Sequence, residues 1–320
     1  MKTIRWGIIG CGDVTEVKSG PGFQKAANSS LAAVMRRNGD LARDYAERHG
    51  VPKWYNDGEA LINDPDVDAV YIATPPYAHK EYTLMAAEAG KPVYVEKPMA
   101  MNYAECQAMI AACVSANVPL LVAYYRRAMP RFLKIKALIE EQAIGDVRAV
   151  TIALYKRHPS QFNWRFDPAV GGGGRFVDMG CHTLDFLDYI LGPIRSVKGL
   201  AANQGGHYQA EDIVSAAFEF ESGVQGVGLW CFTSFNEIDQ TEIIGTRGKI
   251  SFSSFDEQPL VLTNNDGVTE FPIGYPDHVQ QPLIQTVVDQ LNGVGQCPST
   301  GETAARTTWV MDQILRSYYQ

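Results

Sequence analysis

Short apolar runs alternate with amphipathic segments along the first third of the chain. Parallel strands that are buried on both faces read as continuous apolar runs, whereas helices repeat their apolar positions every three to four residues. The runs predict strands at 4–9, 31–35, 67–74, 93–95 and 120–123. The periodic segments predict helices at 40–49, 78–89 and 102–116. This rhythm is typical of a doubly wound parallel sheet.

The pattern changes after a predicted helix at 130–142, where strands joined by short glycine turns dominate. These strands are predicted at 147–155, 194–201, 213–220, 224–232, 241–244, 249–252 and 260–263. Helices are predicted at 180–191, 282–291 and 303–318. We therefore expect an α/β protein with a Rossmann domain at 1–123, followed by an α+β domain at 124–320 with a large, mostly antiparallel open sheet.

The first strand runs into a glycine-rich turn, Gly10-Cys11-Gly12-Asp13-Val14-Thr15. Such a turn lets backbone N–H groups approach a pyrophosphate closely. Thr15 stands where a third glycine is usual, and a turn of this kind also occurs without a dinucleotide. Gly20-Pro21-Gly22 interrupts the helix that follows, so we expect a broken helix or a loop there.

Two arginines, Arg36 and Arg37, follow the second predicted strand. An NAD-binding domain carries an acidic residue there, which bonds the ribose 2′-hydroxyl. A guanidinium instead pairs with a 2′-phosphate, so the arginines favour NADP(H). Asp40 lies close by and keeps NAD possible; the alternative is a pair of solvated arginines.

The composition and net charge of the chain limit the classes of partner that the protein is expected to bind. Of the 320 residues, 46% are hydrophobic and 20% are charged, and the net charge is −8. An acidic chain does not favour nucleic acid or an anionic membrane, since both require a basic face. The six cysteines show no C-x-x-C spacing, and the first strand begins directly after Lys2 and Thr3. We expect a reduced, cytoplasmic protein with no structural metal.

The strand at 93–95 is followed directly by Glu96, Lys97 and Pro98. A lysine in this position is either a surface side chain at a strand end or a functional group.

A second cluster spans residues 171–185, Gly-Gly-Gly-Gly-Arg-Phe-Val-Asp-Met-Gly-Cys-His-Thr-Leu-Asp. A helix beginning near Phe176 would place Asp178, His182 and Asp185 on one face. A metal pair and a solvated polar face are the alternatives.

Four motifs in this order resemble the glucose–fructose oxidoreductase and inositol dehydrogenase family, over almost the whole chain. They are the glycine turn at 7–12, Ala-Thr-Pro-Pro-Tyr-Ala-His at 73–79, Glu-Lys-Pro at 96–98 and Asp-x-Gly-x-His at 178–182. The resemblance implies a Rossmann domain, a second open-sheet domain and a pyridine nucleotide in the cleft between them.

The resemblance also implies roles for individual residues. The phosphates would be lined by the turn, the ribose side by Thr74, Pro75 and His79, and the nicotinamide end by Glu96 and Lys97. Lys97, Asp178 and His182 match the family's catalytic positions. The turn residues concerned are Gly10, Cys11, Gly12, Asp13 and Val14.

Hydride removal from a secondary alcohol needs a base for the hydroxyl proton, a task that suits a histidine such as His182. Lys97 would polarise the developing alkoxide or relay the proton. Substrate contacts are expected from Tyr125, Arg126, Trp164 and Arg165, although each could be ordinary packing. The substrate would be a small polyhydroxylated or carbonyl compound.

Three functions remain open within this resemblance. They are an NADP-dependent dehydrogenase or reductase, a nucleotide-retaining enzyme with non-redox chemistry such as glycoside cleavage, and a silent nucleotide-sensing regulator. Lys97, Asp178 and His182 favour the first, because a regulator has no need of a proton relay. Apolar alternation at 224–232 suggests a buried sheet face, so we expect a homodimer or homotetramer.

Overall fold

The computed structural model of the protein describes residues 1–158 and 161–319. Its contacts divide the chain into two compact units. Unit 1 consists of Met1–Met129 and Pro276–Ala305, and unit 2 of Pro130–Tyr275 and the segment from Arg306 onward. The boundary that the sequence pattern suggested lies six residues earlier, and that pattern assigned 276–305 to the second domain.

Unit 1 is built on a parallel sheet. Among the described residues the sheet has six strands in the order β3-β2-β1-β4-β5-β6. The predicted doubly wound sheet is confirmed. The strand order reverses between β1 and β4, and ligands of open α/β sheets bind beyond the carboxyl ends of the strands at such a point. The strands are β1 (Ile4–Ile9), β2 (Ser29–Met35), β3 (Lys53–Tyr55), β4 (Ala69–Ile72), β5 (Val93–Val95) and β6 (Leu120–Val122).

Helices connect these strands, and the first connection is broken as predicted. A Cβ atom at Gly20 would lie 2.2 Å from the Thr15 carbonyl oxygen, so only glycine allows the two halves of the break to pack this closely. Asn102 caps its helix by accepting a bond from the Glu105 amide at 3.0 Å. The helices are α1 (Asp13–Val17), α2 (Gly20–Lys25), α3 (Gly39–His49), α4 (Gly58–Ile62), α5 (His79–Glu88) and α6 (Tyr103–Ser115).

Unit 2 begins with α7 (Pro130–Glu140) and contains a large sheet. Within the described ranges this sheet has eight strands in the order β14-β13-β12-β11-β7-β10-β9-β8, all antiparallel except the β7–β10 pair. The predicted mostly antiparallel sheet is confirmed. The strands are β7 (Val147–Tyr155), β8 (Ile194–Ala202), β9 (Ile213–Phe220), β10 (Gln225–Cys231), β11 (Ile238–Gly245), β12 (Gly248–Phe252), β13 (Leu260–Asn264) and β14 (Gly267–Phe271).

Two of the described α-helices lie between β7 and β8 along the chain, and two more follow β14. They are α8 (Pro168–Gly171), α9 (Cys181–Leu191), α10 (Gln281–Leu291) and α11 (Gly301–Tyr319). Helix α10 belongs to unit 1 because Leu283, Ile284, Val287 and Val288 are buried there. In particular, a Cβ atom at Gly22 of α2 would lie 2.9 Å from Ile284 Cδ1.

None of the described helices is both long enough and apolar enough to cross a bilayer.

Candidate active site

The glycine turn lies at the carboxyl end of β1, and its shape depends on glycine. Gly10 has φ +92°, and a Cβ atom there would lie 2.9 Å from the Thr74 amide nitrogen. The amides of Gly10 and Cys11 both donate to the Met35 carbonyl, at 2.9 and 3.1 Å. A Cβ atom at Gly12 would meet only the Gly10 carbonyl oxygen, at 3.9 Å. The backbone at Gly12 is therefore open to close approach by a ligand.

Thr15 replaces the usual third glycine and holds the turn in its place. Its hydroxyl donates to the Gly12 carbonyl at 2.7 Å and accepts from the Gly12 amide at 3.0 Å. Cys11 is fully buried, and burial raises the pKa of its thiol to about 11. The thiol is therefore neutral and acts as packing. Asp13 and Val14 are the first two residues of α1.

Arg36 and Arg37 are exposed directly after β2, beside the glycine turn. Because the Gly10 and Cys11 amides bind Met35, the residue before Arg36, the arginine is fixed next to the turn. Asp40 forms an ion pair with Arg43 at 3.2 Å on α3. The described residues show no ion pair between Asp40 and either Arg36 or Arg37.

Thr74 and Pro75 follow β4, the strand next to β1. The Thr74 hydroxyl is buried and has no hydrogen-bond partner among the described residues. The side chain that carries this hydroxyl lies beside Gly10, where a Cβ atom would come within 3.0 Å of Thr74 Cγ2. A buried hydroxyl without a partner is costly, so the residues present fit a ligand that bonds it.

His79 is buried and holds two segments together. Its Nε2 lies 2.7 Å from the Thr74 carbonyl oxygen, and its Nδ1 lies 3.0 Å from that of Pro98. Burial lowers the pKa of His79, while these carbonyl contacts oppose the shift. Since both ring nitrogens face protein carbonyls, His79 positions Thr74 and Pro98.

Glu96 and Lys97 follow β5 at the same carboxyl edge of the sheet. The Glu96 carboxylate accepts from the Tyr71 hydroxyl and from Gln280 Nε2, both at 2.6 Å. Its second oxygen accepts from the Lys97 amide at 3.1 Å. The Lys97–Pro98 peptide bond is cis. Glu96 is thus a buried anchor that fixes the backbone on which Lys97 stands.

In unit 2, a π-helical turn at Phe176–Gly180 precedes α9. The prediction of an α-helix from Phe176 is wrong at this turn, because a π-turn inserts a residue and changes the spacing from Asp178 to His182. His182 is buried, and its ring meets that of Phe255 edge-on at 5.9 Å. Asp185 is also buried and accepts from the Thr307 hydroxyl at 3.4 Å.

Asp178 lies beside Arg165, whose Nε is 3.5 Å from the carboxylate. The Arg165 guanidinium in turn covers the Trp164 ring at 4.4 Å. The structure therefore brings three of the predicted residues together, and Arg165 is placed to orient Asp178. In residues 1–158 and 161–319, no group of three or more His, Cys, Asp or Glu side chains is placed to hold a metal ion.

The glycine tetrad at 171–174 packs on a carboxylate that sequence reasoning missed. The Gly174 amide donates to both oxygens of Glu211 at 2.9 Å, and a Cβ atom at Gly174 would lie 2.6 Å from the Glu211 carbonyl oxygen. The last glycine of the tetrad is therefore required by the close approach of the Glu211 backbone. Adjacent glycines were the available signal, since they mark a close approach of some kind.

Tyr125 and Arg126 are buried in unit 1, within a 3-10 turn at Tyr125–Ala128 after β6. The Arg126 guanidinium lies 5.2 Å from the centre of the Tyr125 ring. The neighbouring Arg127 donates to the Pro298 carbonyl at 3.0 Å and is structural. Unit 1 thus holds Tyr125 and Arg126, while unit 2 holds the other substrate candidates, Trp164 and Arg165.

Comparison with known proteins identifies both units. Residues 4–124 match the model of the oxidoreductase family with an NAD-binding Rossmann fold, and residues 132–251 match the GFO/IDH/MocA C-terminal domain. The chain is 41% identical over 317 residues to oxidoreductase P35 of Formosa agariphila, with 97% of each chain covered.

Two further proteins extend the comparison. Identity to trans-1,2-dihydrobenzene-1,2-diol dehydrogenase of Xenopus laevis is 28% over 280 residues, covering 87% of this chain and 83% of that one. A solved structure, levoglucosan dehydrogenase in complex with NADH and levoglucosan, matches with a TM-score of 0.87. Its sequence is 25% identical, and the match covers 98% of this chain and 96% of that one.

The fold, the glycine turn and these matches define an oxidoreductase with an NAD-binding Rossmann fold. More specifically, the chain belongs to the GFO/IDH/MocA oxidoreductase family, as the order of its motifs indicated.

Proposed function

We propose that the protein is an NADP(H)-dependent dehydrogenase or reductase that acts on a CH–OH or carbonyl group of a sugar, cyclitol or dihydrodiol-like compound. The observation that carries the cofactor assignment is the exposed pair of arginines directly after Met35, whose carbonyl binds the glycine turn. A 2′-phosphate there would pair with a guanidinium, whereas a carboxylate would repel it. Asp40 does not weaken the assignment, because it is engaged by Arg43.

The remaining cofactor contacts are proposed along the carboxyl edge of the parallel sheet. Backbone amides of the turn at 10–14 would bind the phosphates, and the orphaned Thr74 hydroxyl with Pro75 would face the ribose. Glu96 and Lys97 would border the nicotinamide, with Glu96 acting through the backbone it anchors. The bound nicotinamide supplies or accepts a hydride.

Proton transfer is assigned to His182 and Lys97. His182 would take the hydroxyl proton during oxidation and return it during reduction, since a group that titrates near neutral pH serves both directions. Lys97 would stabilise negative charge on the reacting oxygen. Asp178, paired with Arg165, is proposed as the third catalytic residue.

Substrate contacts are proposed for aromatic and cationic side chains of both units. The Trp164 ring with Arg165 across it offers an apolar surface and N–H donors together, a combination that suits a polyhydroxylated ring. Tyr125 and Arg126 offer the same combination. The names of two relatives give a dihydrobenzenediol and levoglucosan as their compounds, which supports a small substrate of this class.

A homodimer or homotetramer completes the proposal. Leu200 of β8 and Val227 of β10 are 73% and 53% exposed on the second sheet. Large apolar side chains that stand on one sheet in this way are candidates for burial by another subunit.

Cofactor titration tests the arginine assignment. In Arg36→Glu the preference for NADPH over NADH should fall about 100-fold, because a charge-assisted bond worth roughly 1.5–3 kcal/mol is replaced by repulsion. Arg148→Glu makes the same charge change at an exposed position on strand β7 of unit 2 and should leave the preference intact. The wild-type preference should also weaken with added salt, since both arginines are exposed. Equal affinity for both cofactors in all three proteins would reject the assignment.

A further inference from the structure

Unit 2 contains a buried arginine that the described residues leave without a hydrogen-bond partner. Arg131 is the second residue of α7 and is 1% exposed. Its Nε, Nη1 and Nη2 atoms are all buried, and none has a partner in the described chain. A guanidinium carries five N–H donors and keeps its charge, so burial without acceptors is unfavourable.

The acidic and aromatic groups that act on Arg131 do not supply hydrogen-bond acceptors for its guanidinium. The Tyr275 ring centre lies 6.0 Å from the guanidinium carbon. The Asp239 carboxylate is occupied by three backbone amides, those of residues 254, 255 and 256, at 3.0, 2.6 and 3.1 Å. Glu257 is exposed to solvent. Burial lowers the pKa of Arg131, and these three groups only oppose the shift.

A short segment links the surroundings of Arg131 to those of His182. The Tyr275 hydroxyl donates to the Ser254 carbonyl at 3.3 Å. The Ser254 hydroxyl is 2.9 Å from that of Thr183, which follows His182 on α9. Phe255, the next residue, meets the His182 ring. A series of contacts through Tyr275 and Ser254 therefore connects the surroundings of the guanidinium with the residues next to the proposed acid/base group.

The position of Arg131 on its helix adds to the attraction for anions. It lies in the first turn of an 11-residue helix, where backbone N–H groups have no intrahelical acceptor and carry partial positive charge. A planar carboxylate can accept two parallel bonds from one guanidinium, which a neutral hydroxyl cannot do. The arrangement therefore selects for an oxyanion.

We propose that Arg131 binds a carboxylate of the substrate, so that the substrate is a sugar acid or a comparable polyhydroxylated acid. This inference rests on the proposed function, because it places the acid group in the substrate of the same site. A sulfate or phosphate ester has related chemistry, and the experiment below separates the two sources.

The test compares acids with their neutral parents by calorimetry on the full chain with NADPH present. The probes are glucuronate against glucose, galacturonate against galactose, and glucose 6-sulfate and glucose 6-phosphate as the ester oxyanions. At least one carboxylate should bind more than ten times tighter than its parent. Arg131→Met should remove about 100-fold of the affinity for that acid and leave the affinity for the neutral sugar unchanged.

Two further variants keep the test decisive. Lys134→Met removes a cation from the same helix, where the ammonium lies 4.9 Å from the Phe271 ring, and should keep the preference for the acid. Arg131→Lys retains the charge but not the planar fork and should give an intermediate affinity. The melting temperature of Arg131→Met without ligand should equal or exceed that of the wild type, because the substitution removes a buried charge that has no partner.

The outcomes separate this inference from the function on which it rests. Binding of sugar acids that depends on Arg131 but is followed by no hydride transfer would reject the proposed function and keep only the contact between Arg131 and a carboxylate. Hydride transfer with a neutral polyol at equal rates in wild type and Arg131→Met would keep the proposed function and reject the role of Arg131 in substrate binding. Preferential binding of the sulfate or phosphate ester would overturn the carboxylate, and a marked fall in melting temperature with no change in selectivity would make Arg131 structural.

Discussion

Glu211 should make the stability of the protein depend on pH in a way that one substitution removes. The carboxylate is fully buried, accepts both bonds from the Gly174 amide, and accepts from the Tyr319 hydroxyl at 2.6 Å. Burial raises the pKa of Glu211 from 4.5 to about 6, although the bonds from Tyr319 and Gly174 oppose this shift. Desolvation therefore outweighs hydrogen bonding at this site.

The magnitude follows from the pKa difference. A rise from 4.5 to about 6 corresponds to about 2 kcal/mol at ~1.4 kcal/mol per pKa unit. Since the folded pKa is the higher one, the folded state holds the proton more tightly. This contribution to the free energy of unfolding is fully present below pH ~4.5, is lost as the pH rises through about 6, and is absent above pH ~7.

Glu211→Gln keeps a side-chain oxygen for Gly174 and Tyr319 but removes the titration. Relative to the wild type, the free energy of unfolding of this variant should rise by about 2 kcal/mol between pH 4.5 and pH 7.5. Urea unfolding followed by circular dichroism across this range measures the difference. Glu270→Gln, on exposed strand β14, should show no such change. A pH-independent difference between wild type and Glu211→Gln would refute the reasoning.

Two other predictions concern turnover and assembly. Replacing His182 or Lys97 by alanine should lower hydride-transfer turnover by roughly 10² or more, with NADPH affinity little changed in His182→Ala; wild-type rates in single-turnover experiments would exclude both assignments. Sedimentation at micromolar concentration should show a species larger than one chain, which Leu200→Lys should dissociate; a monomer at every concentration would contradict the proposed assembly.

The sequence predicts the regular elements well where burial imposes a strong pattern. Apolar runs give the bounds of β1, β5 and β7 to the residue. Four of the described elements escape the pattern, namely β3, α4, α8 and β14, because each has only three to five residues. Such short segments are held by their neighbours and do not express a periodicity of their own.

The residues of the candidate site also fall into two groups, those that the sequence indicates and those that only the structure reveals. Residues in local motifs, such as Lys97 and His182, can be proposed from the sequence because strand ends and glycine turns concentrate chemistry. Glu211 could not be found, since its partners Gly174 and Tyr319 are 37 and 108 residues away along the chain. Arg131 is similarly ordinary in sequence, and only its burial distinguishes it from a surface arginine.

Thr15 allows a final prediction, because it is the position where the glycine turn departs from the usual pattern. Restoring glycine would remove the two bonds with Gly12, leave the fully buried site without a side chain, and add a flexible residue to α1. A lost cap costs roughly 1 kcal/mol, the change from threonine to glycine in a helix about 0.3 kcal/mol, and the loss of the buried methyl group about 0.8 kcal/mol.

Thr15→Gly should therefore lower the free energy of unfolding by about 2 kcal/mol or more and weaken NADPH binding, because the Gly12 backbone would no longer be fixed. Thr15→Ser keeps the hydroxyl and should recover most of both losses. Urea unfolding and fluorescence titration measure the two effects. If Thr15→Gly binds NADPH as well as the wild type does, the hydroxyl supports only the fold, and the open backbone at Gly12 does not depend on it.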